Sequence, residues 1–284
     1  MPGVTDEAAT PTAPRPRLIA TDLDGTLLRD DKSVSPRTIT ALAAAEKAGI
    51  EVCFVTGRPA RWMGVVSDHV HGHGTAICAN GASVVDLHRG GELTEVRPLA
   101  EADALAVVTA LRAVAPAVTF AVERTAGIHY EPHYPPFHLD PAATVAPVTK
   151  LLSAESGHAD EPVLKLLAHH TELDPDEFLS LARTAGGHRA DFTRSSPSAL
   201  LEVSARGVSK ASTLARWCAA RGIEAADVVA FGDMPNDIEM LSWAGTSYAM
   251  ANAHPEVLAA TTHRTASNAQ DGVAMVIEQL LHAL

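Results

Sequence analysis

The chain has 284 residues, of which 46% are hydrophobic and 20% charged, a composition typical of a globular protein with one large or two moderate domains. Its formal net charge of -12 argues against nucleic acids and anionic membranes as partners, because both require basic patches. No run approaches the roughly 18 apolar residues of a membrane span. We therefore expect a cytoplasmic protein that is a monomer or a small homo-oligomer.

The N-terminal segment differs from the rest of the chain in composition. Residues 1–16 are rich in Pro, Thr and Ala and contain no apolar stretch, which predicts a disordered tail rather than a signal peptide. The chain contains three cysteines, and they lack C-x-x-C spacing and lie in apolar segments. We interpret Cys53, Cys78 and Cys218 as buried free thiols.

Four continuous apolar runs predict strands that are buried on both faces, as in a parallel sheet. They are RLIAT (17–21), EVCFVT (51–56), TAICA (75–79) and DVVAFG (227–232). Between the first two runs a helix is predicted, with Ser35 as N-cap, Pro36 as first helical residue and Gly49 as its stop. A similar helix is predicted from 210 to 222. This alternation predicts an α/β fold with a Rossmann-like, doubly wound parallel sheet.

The middle of the chain has a different pattern. The runs AVTFAVE, GIHYE and VLKLLAH predict antiparallel strands, and two further segments have helical spacing. We interpret 87–192 as a smaller α+β cap domain that is inserted into a discontinuous catalytic core, formed by 17–86 and 193–284. Within the cap, Lys165 is a charge on an apolar strand, which indicates a cleft-facing position. His129 lies among aromatic residues, in a stretch that could line the same cleft or form a proline-rich surface loop.

Polar residues follow the carboxyl ends of all four predicted strands, where parallel sheets bind their ligands. Any one of these groups could be an ordinary turn, but four groups at one sheet edge predict a site. The residues are Asp22, Asp24, Thr56, Gly57, Arg58, Asn80, Asp233, Asn236 and Asp237.

The clustered carboxylates need a positive partner, because burying an unpaired carboxylate costs several kcal/mol. Asp22, Asp24 and Asp233 could share one Mg²⁺, a cation that prefers oxygen ligands and often binds beside a phosphate. The sequence contains no G-x-x-x-x-G-K-[ST] loop, no G-x-S-x-G and no H-E-x-x-H. These absences argue against a Walker-type nucleotidase, an α/β-hydrolase and a zinc protease.

Four segments together resemble the motifs of the haloacid dehalogenase superfamily, and the likeness extends over about 17–281. The segments are DLDGTLL, VTGR, the lysine of GVSKASTLA and GDMPND. The position of the predicted cap resembles that of the Cof-type phosphatases. The resemblance implies Mg²⁺-dependent hydrolysis of small phosphomonoesters, such as a sugar phosphate, a flavin-pathway phosphate or pyridoxal phosphate.

The resemblance also implies a role for each motif residue. Asp22 would be the nucleophile that forms an aspartyl-phosphate, and Asp24 would protonate the leaving oxygen and then deprotonate the attacking water. Mg²⁺ would be held by the Asp22 side chain, the Asp24 carbonyl and Asp233. The remaining residues divide into two groups: Thr56, Gly57, Lys210 and Asn236 would bind the phosphoryl group, whereas Asp237, Asn80 and Arg58 would orient their neighbours.

Two other functions are compatible with the same motifs. A sugar phosphomutase with a similar cap would return the phosphoryl group to a sugar instead of water. A catalytically idle phosphate-binding regulatory protein is disfavoured by the intact Asp22 and Asp24 pair, because such a protein could lose either acid at little cost.

Overall fold

The computed structural model describes residues 15–67, 74–135, 140–194 and 198–283. Its strands are β1 (Leu18–Thr21), β2 (Glu51–Val55), β3 (Thr75–Cys78), β4 (Ser83–Asp86), β5 (Glu92–Val96), β6 (Thr119–Arg124), β7 (Ile128–Tyr130), β8 (Val163–His169), β9 (Ala190–Thr193), β10 (Leu200–Ala205), β11 (Val228–Gly232), β12 (Thr246–Ala249) and β13 (His263–Arg264). Its α-helices are α1 (Pro36–Lys47), α2 (Gly64–Ser67), α3 (Glu101–Val114), α4 (Val148–Leu151), α5 (Pro175–Gly186), α6 (Lys210–Ala219), α7 (Ile238–Trp243), α8 (Pro255–Ala260) and α9 (Gly272–His282). The predicted N-terminal tail lies outside the described residues, except for 15 and 16.

The larger sheet has eight strands in the order β13-β12-β11-β1-β2-β3-β4-β5. The strands from β13 to β3 are parallel, and β4 and β5 complete the sheet as an antiparallel pair. The predicted parallel α/β core is confirmed, and the four predicted strands are the adjacent strands β11, β1, β2 and β3. The chain runs outward in opposite directions on the two sides of β1, which makes the β1–β11 edge the switch point where doubly wound sheets bind ligands.

The predicted first helix agrees with the structure because its capping signals are local. The Ser35 hydroxyl accepts a hydrogen bond from the Thr38 N–H at 3.0 Å, Pro36 occupies the first turn, and Gly49 follows the last turn. Helix α6 begins at Lys210, immediately after Ser209, which is the N-cap residue of this helix. The start of α6 therefore sets the position of Lys210.

The smaller sheet has five antiparallel strands in the order β7-β6-β8-β10-β9. The α3 and α5 helices pack against one face and form a second hydrophobic core with side chains such as Val107, Phe120 and Phe178. This confirms the predicted α+β cap. The opposite face of the sheet turns toward the large sheet.

Sheet membership shifts both predicted domain boundaries. Strand β5 (Glu92–Val96) pairs with β4 in the large sheet, although the prediction assigned it to the cap. Strand β10 (Leu200–Ala205) pairs with β8 and β9 in the cap sheet, although the prediction assigned it to the core. We therefore place the crossings between domains near 97 and 206. Strand partners are chosen by contacts distant in sequence, which a local pattern does not encode.

Two further predictions concern buried and apolar segments. Cys53, Cys78 and Cys218 are free and buried, as expected. In the described ranges, none of the helices combines the length and the apolar character that crossing a membrane would require.

Candidate active site

Asp22 lies at the centre of the predicted site. It follows β1, and its backbone N–H donates to the Phe231 carbonyl of β11 at 3.1 Å, so its position is set by the parallel pairing of the two central strands. The residue is only 5% exposed. Burial raises the pKa of Asp22 well above its ordinary value, Lys210 opposes that shift, and the carboxylates of Asp237 and Asp233 add to it. A further positive charge near Asp22 would therefore stabilise its ionised form.

Asp233 follows the end of β11 and lies close to Asp22. Its Oδ1 accepts a hydrogen bond from the Thr26 hydroxyl at 2.8 Å. Gly25 has a φ of +80°, and a Cβ at that position would lie 2.3 Å from Asp233 Oδ2, so the first motif requires glycine here. Burial, together with the charge of Asp237, raises the pKa of Asp233 to about 7.

These carboxylates fit a hard divalent cation. Oxygens of Asp22, Asp233 and Asp237 all lie within 4.8 Å of one another. In the described part of the chain, the second oxygens of Asp22 and Asp233 receive no hydrogen bond from a protein donor. Three buried carboxylates face a single lysine, so an all-oxygen site with excess negative charge is present, as Mg²⁺ prefers.

Lys210 is the buried counter-charge of this cluster. Its Nζ donates to Asp22 Oδ1 at 2.6 Å and to Asp237 Oδ1 at 2.7 Å, and its side chain is 2% exposed. Burial lowers the pKa of Lys210, but the two carboxylates outweigh burial and raise the pKa above its ordinary value. The ammonium is therefore charged at neutral pH. The loop after β3 packs closely against the start of α6, where Lys210 lies. Glycine is needed at position 81 of this loop, because a Cβ there would lie 2.3 Å from the carbonyl oxygen of Ser209.

Asp237 serves the structure of the site rather than offering free metal ligands. Its Oδ1 accepts from Lys210, and its Oδ2 accepts from the backbone N–H groups of Asp233 and Met234 at 3.0 Å each. With both oxygens engaged, it orients Lys210 and the loop that carries Asp233. Its role as an orienting residue in the reaction stays a prediction.

Asp24 is not part of the three-carboxylate cluster. Arg58 donates to its two oxygens, from Nε at 2.6 Å and from Nη2 at 2.7 Å, and Lys32 Nζ donates at 2.8 Å. Burial raises the pKa of Asp24, but the hydrogen bonds and charges of Arg58 and Lys32 lower it to about 2. The carboxylate is therefore ionised in this conformation. Its predicted metal contact rests on its backbone carbonyl and not on its side chain.

The remaining predicted residues surround the same edge of the sheet. The Thr56 hydroxyl accepts from the Arg58 N–H at 3.1 Å, and Asn236 Nδ2 donates to Asn80 Oδ1 at 3.1 Å. A Cβ at Gly57 would lie 3.3 Å from Asn80 Oδ1, so the Gly57 backbone and the Asn80 side chain are close together here. The structure thus brings the ten predicted residues into one region.

A cavity of about 600 Å³ lies over this region, between the two sheets. Seven predicted site residues line it, and Asn80, Asp233 and Asp237 lie outside its lining. The seven are Asp22, Asp24, Thr56, Gly57, Arg58, Lys210 and Asn236. A pocket of this size, with charged groups at one end, suits a small ligand.

The cap forms the other wall of the cavity. Lys165 lines it, as expected, and donates to the Gly57 carbonyl oxygen at 2.8 Å while it is paired with Glu202. His129 does not line it, because alternation along β7 sends Ile128 and Tyr130 to the cavity and His129 to the opposite face. The expectation that His129 could line the site is therefore wrong. His129 instead stacks on His158, with ring centroids 3.9 Å apart.

Sequence reasoning missed two buried acids that line the cavity. Glu123 is paired with Arg61 of the core, and Glu202 is paired with Lys165 of the cap. Both acids interrupt apolar strand runs, which is the same signal that singled out Lys165. Lys32, which contacts Asp24, carried no such signal because it lies in a polar loop.

Comparison with protein families assigns the chain to a class of hydrolases. The family model for haloacid dehalogenase-like hydrolases matches residues 19–277. The chain therefore belongs to the haloacid dehalogenase-like hydrolases, and the resemblance of its four motifs is confirmed. It is an enzyme of that class.

The chain is similar along most of its length to curated bacterial phosphatases. The 5-amino-6-(5-phospho-D-ribitylamino)uracil phosphatase YitU of Bacillus subtilis is 29% identical over 275 residues, covering 93% of this chain and 97% of the relative. The pyridoxal phosphate phosphatase YbhA of Escherichia coli is 30% identical over 277 residues, with coverage of 92% and 97%. An HMP-PP phosphatase of Yersinia pestis is 31% identical over 249 residues, with coverage of 85% and 86%.

Solved structures share the fold. A phosphatase of the haloalkanoate enzyme superfamily from Bacteroides thetaiotaomicron superimposes with a TM-score of 0.80 at 22% identity, covering 99% of this chain and all of that one. A haloacid dehalogenase-like hydrolase from B. subtilis superimposes with a TM-score of 0.78 at 25% identity, with coverage of 93% and 99%. The fold of this chain therefore matches that of these solved structures over nearly its whole length.

Proposed function

We propose that the chain hydrolyses monophosphate esters of small metabolites in a Mg²⁺-dependent reaction with Asp22 as the nucleophile. The observation that carries the proposal is the placement of Asp22 at one end of the cavity, beside a carboxylate cluster and bonded to a buried lysine. The phosphatase relatives support the same reaction. The proposed setting is the cytoplasm, with a small phosphorylated metabolite as partner and neither nucleic acid nor membrane.

In the first step, a carboxylate oxygen of Asp22 bonds to phosphorus, and the bond from phosphorus to the leaving alcohol breaks. The leaving oxygen takes a proton from Asp24. Lys210 and the Thr56 hydroxyl would bind phosphoryl oxygens and offset their charge, with Asn236 supporting them. When bound, Mg²⁺ would be held by Asp22, Asp233 and the Asp24 carbonyl and would neutralise charge on the phosphoryl group.

In the second step, water attacks phosphorus, passes a proton to Asp24, and the bond between phosphorus and Asp22 breaks to release inorganic phosphate. Because Arg58 and Lys32 lower the pKa of Asp24 to about 2, its carboxylate is ionised at neutral pH, which suits a group that accepts a proton in this step. The first step needs Asp24 to be protonated. Its carboxyl group must therefore leave Arg58 and Lys32 and contact the leaving group instead. The arriving phosphoryl group offers both cations another anion and thereby favours that exchange.

The test is release of inorganic phosphate from acetyl phosphate and from a panel of metabolite monophosphates. Acetyl phosphate has a small leaving group and reports on the core alone. Free phosphate is expected from both, in amounts equal to the substrate consumed. Transfer of the group to a sugar without free phosphate would identify a phosphomutase instead, and binding without turnover would identify a regulatory protein.

Removing divalent metal is expected to lower phosphate release by about 100-fold or more, because three buried carboxylates would then repel the incoming phosphate. Mg²⁺ should restore the activity, whereas Zn²⁺ should restore it poorly, since the site offers only oxygen ligands. The measurement is phosphate release by chelator-treated protein with each ion added back. Undiminished activity in the metal-free protein would refute the proposed metal.

The Mg²⁺ requirement is also expected to depend on pH. The pKa of Asp233, raised by burial to about 7, means that a proton occupies this carboxylate increasingly as the pH falls through that value. Since the ion binds the deprotonated form, the half-saturating Mg²⁺ concentration should rise about tenfold per unit between about pH 6.5 and 5.5. Mg²⁺ titrations of activity at several pH values measure this. A constant requirement across that range would contradict it.

The Lys165→Met variant is expected to lose about tenfold or more in kcat/KM on a metabolite monophosphate, because it removes the cap's hydrogen bond to the Gly57 carbonyl. Hydrolysis of acetyl phosphate should fall by less. Lys150→Met, an exposed substitution in the cap, is the matched control. Lys165→Met alone leaves the buried Glu202 carboxylate without its partner. The double variant Lys165→Met/Glu202→Gln also removes that charge, so a loss of activity that persists in it is not caused by an unpaired carboxylate. Equal losses on both substrates in this double variant would show that Lys165 does not act through the cap.

A further inference from the structure

The face that the cap turns toward the cavity is mainly apolar. Across adjacent strands, Ala121 is paired with Tyr130 on one side and with Leu167 on the other, which places three apolar side chains in one row. Tyr134 stacks against Tyr130 with ring centroids 5.9 Å apart. Leu200 joins the same cluster from β10. The cap therefore presents an aromatic and aliphatic wall to whatever lies beyond the phosphoryl group.

The core extends this apolar surface from the other side of the cavity. Trp62 follows the second motif and Met234 lies in the fourth, and both line the cavity together with the cap residues. A group held between the domains would therefore meet apolar surface from both of them. Such a cleft favours a flat, apolar ring, because ring faces bury well against aromatic and leucine side chains.

The charged groups of the cap wall are already engaged with one another or with the core. Glu123 is paired with Arg61, while Lys165 is paired with Glu202 and also donates to the Gly57 carbonyl. Among the cap residues described as lining the cavity, two are acidic and one is basic, so a second anionic group on the ligand would be repelled. A sugar would have to place several hydroxyls against apolar side chains, where they would lose hydrogen bonds to water.

We infer that the cavity selects monophosphate esters of aromatic or heteroaromatic alcohols over sugar phosphates. This inference rests on the proposed phosphatase function and adds the chemical class of the leaving group. The selecting side chains are Tyr130, Tyr134, Leu167 and Leu200, with Trp62 from the core.

Benzyl phosphate and glucose 6-phosphate test the inference, because both are esters of primary alcohols and differ mainly in the ring that the cavity would receive. The kcat/KM for benzyl phosphate is expected to exceed that for glucose 6-phosphate by about tenfold or more. Pyridoxal 5′-phosphate, a heteroaromatic ester, should behave like benzyl phosphate. Acetyl phosphate serves as the measure of the core reaction.

Leu167→Asn and Leu200→Asn test the wall itself, since both side chains are only partly buried and tolerate a polar replacement. Each is expected to lower kcat/KM for benzyl phosphate about tenfold, with acetyl phosphate hydrolysis little changed. Leu179→Asn, on α5 and away from the cavity, is the matched control.

Two results would overturn the inference while leaving the phosphatase proposal intact. One is glucose 6-phosphate hydrolysis that equals or exceeds benzyl phosphate hydrolysis, in protein that hydrolyses acetyl phosphate. The other is an equal loss on all substrates in both leucine variants. Failure to hydrolyse acetyl phosphate with Mg²⁺ present would instead refute the proposed function, and the inference with it.

Discussion

Replacing Asp22 with asparagine is expected to lower phosphate release by at least about 1000-fold, because the amide keeps the shape of the side chain but is not a competent nucleophile. The variant should remain folded, since Lys210 retains Asp237 as its ionic partner. It also removes one of three mutually repelling buried carboxylates. The measurements are phosphate release under saturating Mg²⁺ and the circular dichroism spectrum.

Asp160→Asn is the matched control for this experiment. Asp160 is exposed in a turn of the cap, and the same chemical change there should leave turnover unaffected. Turnover by Asp22→Asn within a few-fold of the unaltered chain would rule out attack by Asp22. It would leave direct attack by water as the alternative chemistry.

The Lys210→Met variant is expected to lose both activity and stability. The lysine is buried between Asp22 and Asp237, and removing one partner of a buried ionic network typically costs about 3–5 kcal/mol in the free energy of unfolding. The folded-state pKa of Lys210 is raised above its unfolded value, so its stabilising contribution is fully present at neutral pH and is lost only as the pH rises through the folded-state pKa. Denaturant unfolding of metal-free protein at pH 7 measures the loss.

The destabilisation of the Lys210→Met variant should depend on pH and on the Mg²⁺ concentration. Acidification protonates the carboxylates left without a counter-charge, and Mg²⁺ supplies a replacement charge, so either should reduce the difference from the unaltered chain. Lys47→Met, at an exposed position in α1, is the control. A free energy of unfolding within about 1 kcal/mol of the unaltered value, in the absence of metal, would show that Lys210 is not the counter-charge of the cluster.

The location of the site was predictable from local signals. Each central strand is a short apolar run followed at once by polar residues, as in the step from Leu18–Thr21 to Asp22. Parallel strands place their carboxyl ends at one edge of a sheet, so Asp22, Thr56 and Asp233 had to be neighbours once the strands were recognised. The Ser35 and Pro36 signals of α1 succeeded for the same reason, since capping involves residues only a few positions apart.

The partners of individual charges were not predictable in this way. That Arg58 and Lys32 both hold Asp24, and that Lys165 is paired with Glu202, depends on which loops approach one another after folding. The same applies to Glu123 and Glu202 of the cap. In the sequence each is only a single charge in an apolar strand. Their arrangement determines the resting charge state of Asp24 and the character of the cavity wall.

The sequence by itself determined the parallel α/β core and the inserted cap, because these follow from short apolar runs, and it determined the motif residues from the residue types at strand ends. The class of reaction followed from the resemblance of the four motifs to a known superfamily. Only the tertiary structure decided which sheet contains β5 and β10, and which cap side chains face the cavity. A strand's partners are chosen by pairing across distant segments, and a shift of one residue reverses every side chain. That is why Lys165 faces the cavity while His129 packs on the opposite side of the same sheet.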